Sequence, residues 1–392
     1  MTLRRFPVAV ALKKDLARSI RRGHPWIYRD AVAAPEGLDD GSLVEVHTRY
    51  GRPLARGFWD ARSPIAVRVL ESGGPGCRFT DVDALVDERL RAALDRRLAR
   101  LDPANTNAFR WIHGEGDLLP GIHVDLYADT AVVRFDGYGA RAFYGPLDAR
   151  LRQAGGKLWS IRTVQDRESR DADAASVDQE IIENGIRFGV DLAHGQKGGL
   201  FLDQRENRQL VAQRARGKSV LNLFGYTGGF AVYAAAAGAR RTDTVDVAKP
   251  AIEAARHNFE RNKLPLGNAG LHAADAFTFL RAAIERGDRW DIVISDPPSL
   301  AARKDAVPAA QRFYERLHQL AATVTEHGGF LCAASCSSHL GRDAFLESID
   351  AGVRASGRRW ALEVLRGAGF DHPVLAAFPE GDYLKFAICR VH

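Results

Sequence analysis

Five places in the second half of the chain put chemically able side chains just after, or at the close of, a short apolar run. Ser335-Cys336-Ser337 follows Phe330–Ala334, Asp296-Pro297-Pro298 follows Asp291–Ser295, and Asp275-Ala276 follows Gly270–Ala273. Asp246 closes the run Thr242–Val247, and Gly225-Tyr226-Thr227-Gly228-Gly229 follows Ser219–Phe224. A thiol at such a position becomes a nucleophile once it is ionised. Carbon 5 of a pyrimidine is too weak a nucleophile to take a methyl group directly, and thiolate attack on carbon 6 makes it enamine-like. A base must later remove the carbon 5 proton, and the sequence does not identify that base. Free cysteines are more often inert apolar residues. That reading suits Cys332 and Cys389 and stands as the alternative for Cys336.

The glycine-containing turn and the two aspartates describe a nucleoside site. Glycine lets the backbone approach a ligand closely and turn sharply into a helix. Asp246, 21 residues after Gly225, has the spacing of a carboxylate that accepts hydrogen bonds from ribose hydroxyls. A dinucleotide loop reads G-x-G-x-x-G and seats a pyrophosphate on a helix N-terminus; Gly225–Gly229 lacks the middle glycine at its usual place. The turn therefore suits an adenosine cofactor without pyrophosphate, such as S-adenosylmethionine (SAM), with Asp275 and Ala276 reading the adenine edge. A purely structural alternative makes these residues tight turns and helix caps. Two prolines after a buried strand rigidify the backbone and expose the Pro297 carbonyl and the Asp296 carboxylate beside the cofactor. Methylation of an exocyclic amine is the competing chemistry, and there an aromatic residue commonly follows the two prolines to stack on the base. Here Ser299 follows, which favours carbon methylation.

These residues need a scaffold, and the pattern supplies one. From about residue 191, apolar runs alternate with amphipathic segments at Phe230–Ala237, Pro250–Asn262, Ala276–Arg286, Ala309–Thr325 and Arg342–Ala355. Two more strand-like runs follow, Leu362–Leu365 and Tyr383–Cys389. That alternation predicts an α/β fold, a doubly wound Rossmann-like parallel sheet covered on both faces. Ligands bind at the carboxyl ends of such strands. Residues 1–74 show short β-type runs and close at a Gly-rich linker, Gly73–Gly76. Residues 75–190 start with an Arg-rich helical pattern, Asp83 to Leu101, and continue as a central α+β domain, with a polar loop expected at Asp166 to Gln179. The catalytic sheet is expected over 191–392.

The 392 residues are 46% hydrophobic and 27% charged, which excludes a disordered chain. No apolar stretch approaches the roughly 20 residues of a membrane helix. Four cysteines without a C-x-x-C pair fit neither a disulfide framework nor a metal site, and a reducing cytoplasm is the expected compartment. The net charge of +6 is concentrated in residues 1–30, where eight Lys and Arg face two Asp. A basic end predicts a polyanionic partner. Lys13, Lys14, Arg21 and Arg22 would contact RNA phosphates, with His24 beside them and Trp26 and Tyr28 available to stack on bases. The bland alternative makes the charges a solvated face and the two rings core.

The combined motifs resemble the RlmI-like family of bacterial large-subunit ribosomal RNA methyltransferases, which act on carbon 5 of cytosine. The marks are Arg22-Gly23-His24-Pro25-Trp26-Ile27-Tyr28, Glu115-Gly116-Asp117-Leu118-Leu119-Pro120-Gly121 with Asp125, and His194-Gly195-Gln196-Lys197-Gly198-Gly199. To these are added Phe201-Leu202-Asp203-Gln204-Arg205, Phe224 to Phe230, Asp296-Pro297-Pro298, Ser335-Cys336-Ser337 and Pro379-Glu380-Gly381 with Tyr383-Leu384-Lys385. The resemblance covers nearly the whole chain. It implies an N-terminal PUA-like RNA-binding domain, a central domain and a class I SAM-dependent methyltransferase domain. It implies that Cys336 is the covalent nucleophile, assisted by Asp296 and Pro297. Phe201, Asp203, Gln204, Arg205 and the loop Phe224, Gly225, Tyr226, Thr227 and Gly228 would contact SAM, with Asp246 on the ribose and Asp275, Ala276 and Asp296 nearby. The implied partner is 23S ribosomal RNA or a large-subunit assembly intermediate, and a homodimer is the assembly considered. Ser299-Leu300 and Ser338-His339 depart from the family pattern beside the substrate pocket. A non-catalytic RNA-binding factor on the same scaffold is the rival of another class.

Overall fold

A computed structural model describes residues 7–73, 81–156, 159–161, 163–166, 178–192, 199–301 and 303–392. Arg4, Arg5, Cys77, most of the Gly-rich linker, most of the polar loop before Gln179 and the segment His194–Gly198 lie outside the described residues. The chain divides into two compact units, residues 1–171 with 370–381, and residues 172–369 with 382–392. Both N-terminal sheets thus share one unit, and a stretch near the C-terminus returns to join them.

In the first unit a six-stranded sheet runs in the order Trp26–Tyr28, Ile65–Ser72, Pro53–Trp59, Leu43–His47, Val8–Leu12 and Val32–Ala33. A four-stranded sheet follows in the order Thr163–Asp166, Thr130–Phe135, Ile122–Tyr127 and Ala108–His113. The helix Val82–Leu98 is capped by the Asp81 carboxylate, which accepts from the Ala84 amide at 2.9 Å. Its apolar face packs with Trp111 and Phe109 in one core. The buried Arg97 meets Asp117 through two 2.6 Å hydrogen bonds and donates to the Asp371 carbonyl at 2.7 Å. That last bond fastens the returning segment inside this unit.

The second unit carries the sheet foreseen from the alternation. Its strands are β1 (Ser219–Leu223), β2 (Arg241–Asp246), β3 (Ala269–Ala273), β4 (Trp290–Ser295), β5 (Thr325–Ser335), β6 (Trp360–Arg366) and β7 (Lys385–Val391). They lie in the order β3-β2-β1-β4-β5-β7-β6. The first five are parallel, and β7 is antiparallel to both β5 and β6. Helices α1 (Arg205–Ala215), α2 (Gly229–Ala236), α3 (Lys249–Arg261), α4 (Ala276–Arg286), α5 (Val307–Thr323) and α6 (Arg342–Ala355) cover the sheet. Two cores flank it. One gathers Leu221, Val293, Leu331 and Tyr314, the other Val220, Ile292, Ile294 and Phe230. Strands buried on both faces read as continuous apolar runs, which is why they were visible in the sequence.

The division departs from the sequence reading in three ways: the expected domains 1–74 and 75–190 share one unit, residues 370–381 leave the expected 191–392 domain for it, and the hairpin before β1 changes sides. The hairpin Asp178–Glu183 with Ile186–Asp191 belongs to the second unit, not the central domain. The reason is polar: Asn258 Oδ1 accepts from the Gly189 amide and Asn262 Oδ1 from the Arg187 amide, both at 2.9 Å. Beneath it the fully buried Glu183 takes two hydrogen bonds from Arg208 of α1, at 2.8 and 2.7 Å. Among the described residues no helix is long and apolar enough to cross a membrane.

Candidate active site

The carboxyl ends of β1, β2, β4 and β5, with the turn after β3, open onto one cleft of about 870 Å³. Its lining includes Phe201, Asp203, Gln204, Phe224, Gly225, Tyr226, Thr227, Asp246, Asp275, Ala276, Asp296, Pro297 and Cys336. Two expected cofactor residues do not line it. Arg205 is buried, with its guanidinium on Glu206 Oε1 at 2.9 Å. Gly228 caps α2 in a left-handed conformation, φ +79°, where a Cβ would meet the Ala255 Cβ at 2.9 Å.

The turn after β1 is pinned from below. The Gly225 amide donates to the Val245 carbonyl and the Tyr226 amide to Asp246 Oδ2, both at 2.9 Å. The other carboxylate oxygen of Asp246 accepts from the Ala248 amide at 2.9 Å. Phe224 and Tyr226 hold left-handed φ angles of 54° and 47°, conformations that side-chain-bearing residues adopt at a cost. The surrounding bonds over-determine them. Asn222 lines the cleft beneath this turn, and its Nδ2 is buried without a partner among the described residues. A buried donor of that kind calls for an acceptor from a ligand, so the donor set and the pinned turn fit a nucleoside cofactor.

The opposite wall is built around Asp296. Gln204 Nε2 donates to Asp296 Oδ2 at 2.9 Å, and Asn207 Nδ2 donates to Gln204 Oε1 at 2.6 Å. Asp203 receives the Tyr383 hydroxyl at 2.5 Å. Asp275 caps α4, accepting from the Thr278 amide at 2.9 Å and the Thr278 hydroxyl at 3.0 Å, so the helix-cap reading of this residue holds as geometry.

Cys336 stands at the end of β5, half-buried, between two anchored serines. The Tyr314 hydroxyl donates to Ser335 Oγ at 2.9 Å. Ser337 Oγ accepts from the Leu300 and Ala301 amides at 3.0 and 3.2 Å, linking this turn to the loop after Pro298. Burial pushes the Tyr314 phenol up to about 12, so it stays a donor at neutral pH. Cys332 differs from Cys336 in kind. It is fully buried, and burial pushes its thiol up to about 12; Cys389 is likewise buried and shifted upward. Sequence reasoning gave no role to Asn222, Tyr314 or Lys385. A lysine in a closing apolar strand was the available signal for the last.

In the first unit, Lys13, Lys14, Arg21 and Arg22 are exposed, and Lys14 pairs with Asp30. Trp26 is half-buried: its indole donates to Glu115 Oε1 at 2.7 Å and its ring meets Phe378 edge-on, 4.5 Å between centroids. His24 also touches Phe378, 5.9 Å between centroids. Trp26 is thus engaged with its own fold, as the packing alternative has it, whereas Tyr28, the other ring of that alternative, is 44% exposed and not core.

Comparison with known proteins supplies the family. S-adenosylmethionine-dependent methyltransferases match residues 171–361, and a PUA-like domain matches residues 10–72. A ribosomal RNA large subunit methyltransferase of Deinococcus radiodurans is 37% identical over 93% of both chains. Ribosomal RNA large subunit methyltransferase I of Escherichia coli is 35% identical, covering 98% of this chain and 99% of its own. The same enzyme of Shewanella denitrificans is 34% identical with equal coverage. A solved structure complexed with SAH superimposes with a TM-score of 0.83 at 24% identity, and one from Streptococcus mutans with 0.81 at 23%. Each of these covers 98% of this chain and all of the other, and both show the fold. A SAM-dependent methyltransferase sheet, a PUA-like domain and full-length likeness to these enzymes have one meaning: the chain belongs to the family of ribosomal RNA large subunit methyltransferases.

Proposed function

We propose that the protein methylates carbon 5 of a cytosine in 23S ribosomal RNA, or in a large-subunit assembly intermediate, through a covalent bond between Cys336 and the base. It would do so in the cytoplasm. The observation that carries this reading is that Cys336 and Asp296-Pro297 line the same cleft as the Gly225 turn and Asp246. Asp246 and the Tyr226 turn would hold the ribose of SAM, Asp275 and Ala276 its adenine side, and Phe201, Asp203 and Gln204 the remainder, with Asn222 Nδ2 offering a buried donor. SAM, when bound, supplies a methyl group on a positively charged sulfur.

The chain's own residues do the rest. The Cys336 thiolate adds to carbon 6 of the cytosine and raises the electron density at carbon 5. Asp296, oriented by Gln204, and the rigid Pro297 carbonyl hold the base. After methylation a base removes the carbon 5 proton, the ring regains its double bond and the sulfur leaves carbon 6. The exposed Lys13, Lys14, Arg21 and Arg22 would meet the RNA phosphates. The test is methyl transfer to unmodified ribosomal RNA by Cys336→Ala and Cys336→Ser, with mass spectrometry to locate the product base. Loss of turnover with retained SAM binding is expected; wild-type turnover in either variant removes Cys336 from the chemistry.

A further inference from the structure

The last strand of the sheet delivers a lysine to the turn that carries Cys336. In the antiparallel register of β5 with β7, Lys385 stands opposite Ser335. Lys385 is only 1% exposed, and an ammonium so deeply placed is tolerated only when its donors are used. Its Nζ donates to the Ser337 carbonyl at 2.6 Å and to the Tyr383 carbonyl at 2.8 Å. An ammonium has three donors, and among the described residues no carboxylate pairs with this one.

The charges around it favour a role toward sulfur. Burial pulls the Lys385 ammonium down to about 8, and the Cys336 sulfur is the foremost group opposing that fall. Asp382 also supports the cation and Arg342 opposes it. Those two are tied to each other by hydrogen bonds of 2.8 and 3.1 Å, so their fields largely cancel at Lys385. From α5, Tyr314 presents a protonated phenol, which feels both Cys336 and Asp296. On the cleft side the Asp296 carboxylate accepts from Gln204 Nε2 at 2.9 Å.

We propose that Lys385 is a positioning residue for the Cys336 thiolate: it clamps the Ser337 carbonyl so that the Ser335–Ser337 turn stays in the cleft, and its charge stabilises the sulfur anion. The proton lost by the thiol goes to solvent, and Lys385 keeps its own. This rests on the reading of Cys336 as nucleophile for its purpose, though not for its measurement.

The experiment is alkylation of the full-length protein by iodoacetamide between pH 5 and 10, read by mass spectrometry on the peptide containing Cys336. A free cysteine ionises near 8.5, and a cation close by lowers that by about one unit or more. The wild-type midpoint is expected about one unit below that value. Lys385→Met is expected to raise it by about one unit and slow alkylation at pH 7 about tenfold, while Lys385→Arg, which keeps the charge, recovers most of the rate. Cys332 and Cys389 serve as unreactive internal references. Equal midpoints in wild type and a folded Lys385→Met protein overturn the proposal. If Lys385→Met does not fold, the wild-type midpoint decides alone, and a value at or above 8.5 overturns it. The two readings fail separately. Turnover by Cys336→Ala would end the nucleophile assignment and leave the alkylation midpoints untouched; an unshifted midpoint would end the Lys385 assignment with Cys336 still required.

Discussion

Gly225→Ala is the most searching single perturbation of the cofactor turn. A Cβ built there falls 2.5 Å from Thr244 Cγ2, 2.9 Å from Asn222 Nδ2 and 3.2 Å from the Asn222 carbonyl. Carbon atoms in contact prefer about 3.5–4.0 Å, so the closest pair is about 1 Å too near. Thr244 has no room to retreat, because it is fully buried and paired to β1 and β3 on either side. The turn must lift instead, stretching the Gly225-to-Val245 and Tyr226-to-Asp246 hydrogen bonds. Overpacking of this kind costs about 1–3 kcal/mol, which for a unit of this size lowers the melting temperature by roughly 2–12 °C. The carboxylate and turn also move apart, and SAM affinity should weaken at least about tenfold, or about 1.4 kcal/mol. Differential scanning fluorimetry and SAM calorimetry measure both. Gly267→Ala is the control, since a Cβ there meets nothing within 4 Å. Wild-type stability and SAM affinity in Gly225→Ala would refute the argument that this turn is set by close approach.

Other variants have expected outcomes of their own. Arg208→Met should destabilise by about 3–5 kcal/mol in urea unfolding, because it strands the fully buried Glu183 carboxylate. Tyr383→Phe removes the hydroxyl on Asp203 and should cost about 1–3 kcal/mol of stability by the same measurement. Trp26→Phe should reduce stability, by losing the indole bond to Glu115, and leave RNA affinity unchanged; charge reversal at Arg21 and Arg22 should do the opposite in filter binding, with a shallower salt slope. Burial holds the His318 imidazole down at about 4, below its unfolded value near 6.5. The neutral ring therefore favours folding fully above pH 6.5, and that contribution disappears as pH falls toward 4. His318→Leu should flatten this part of the stability profile measured by urea midpoints.

What the sequence disclosed, and what it withheld, follows from how local each signal is. β1, β4 and β5 were legible because parallel strands buried on both faces leave largely apolar runs, α2 to α6 because they alternate with the strands, and Cys336 could be read as a strand-end residue because polar residues follow Ala334 at once. Asp246 and the Gly225 turn carried their own spacing. The hairpin from Asp178 to Asp191 was assigned to the wrong neighbour, since Asn258 on α3 and Asn262 at its C-terminal cap, which hold it, lie about seventy residues away. Trp26 offered a stacking ring in the sequence, and only the fold brings Glu115 and Phe378 against it. Lys385 was hidden for a different reason. Lysine is almost never fully buried, and composition gives no warning when a strand buries one.

The interior position of β7 has a consequence for synthesis. This strand comes after β6 in the chain yet lies between β5 and β6 in the sheet. Until residues 385–391 emerge from the translating ribosome, β5 has an open edge and β6 has no neighbour to join. Such an edge is a template for unwanted pairing, and distant partners close last. Until then the Ser335–Ser337 turn lacks the hydrogen bond that the Lys385 ammonium donates to the Ser337 carbonyl.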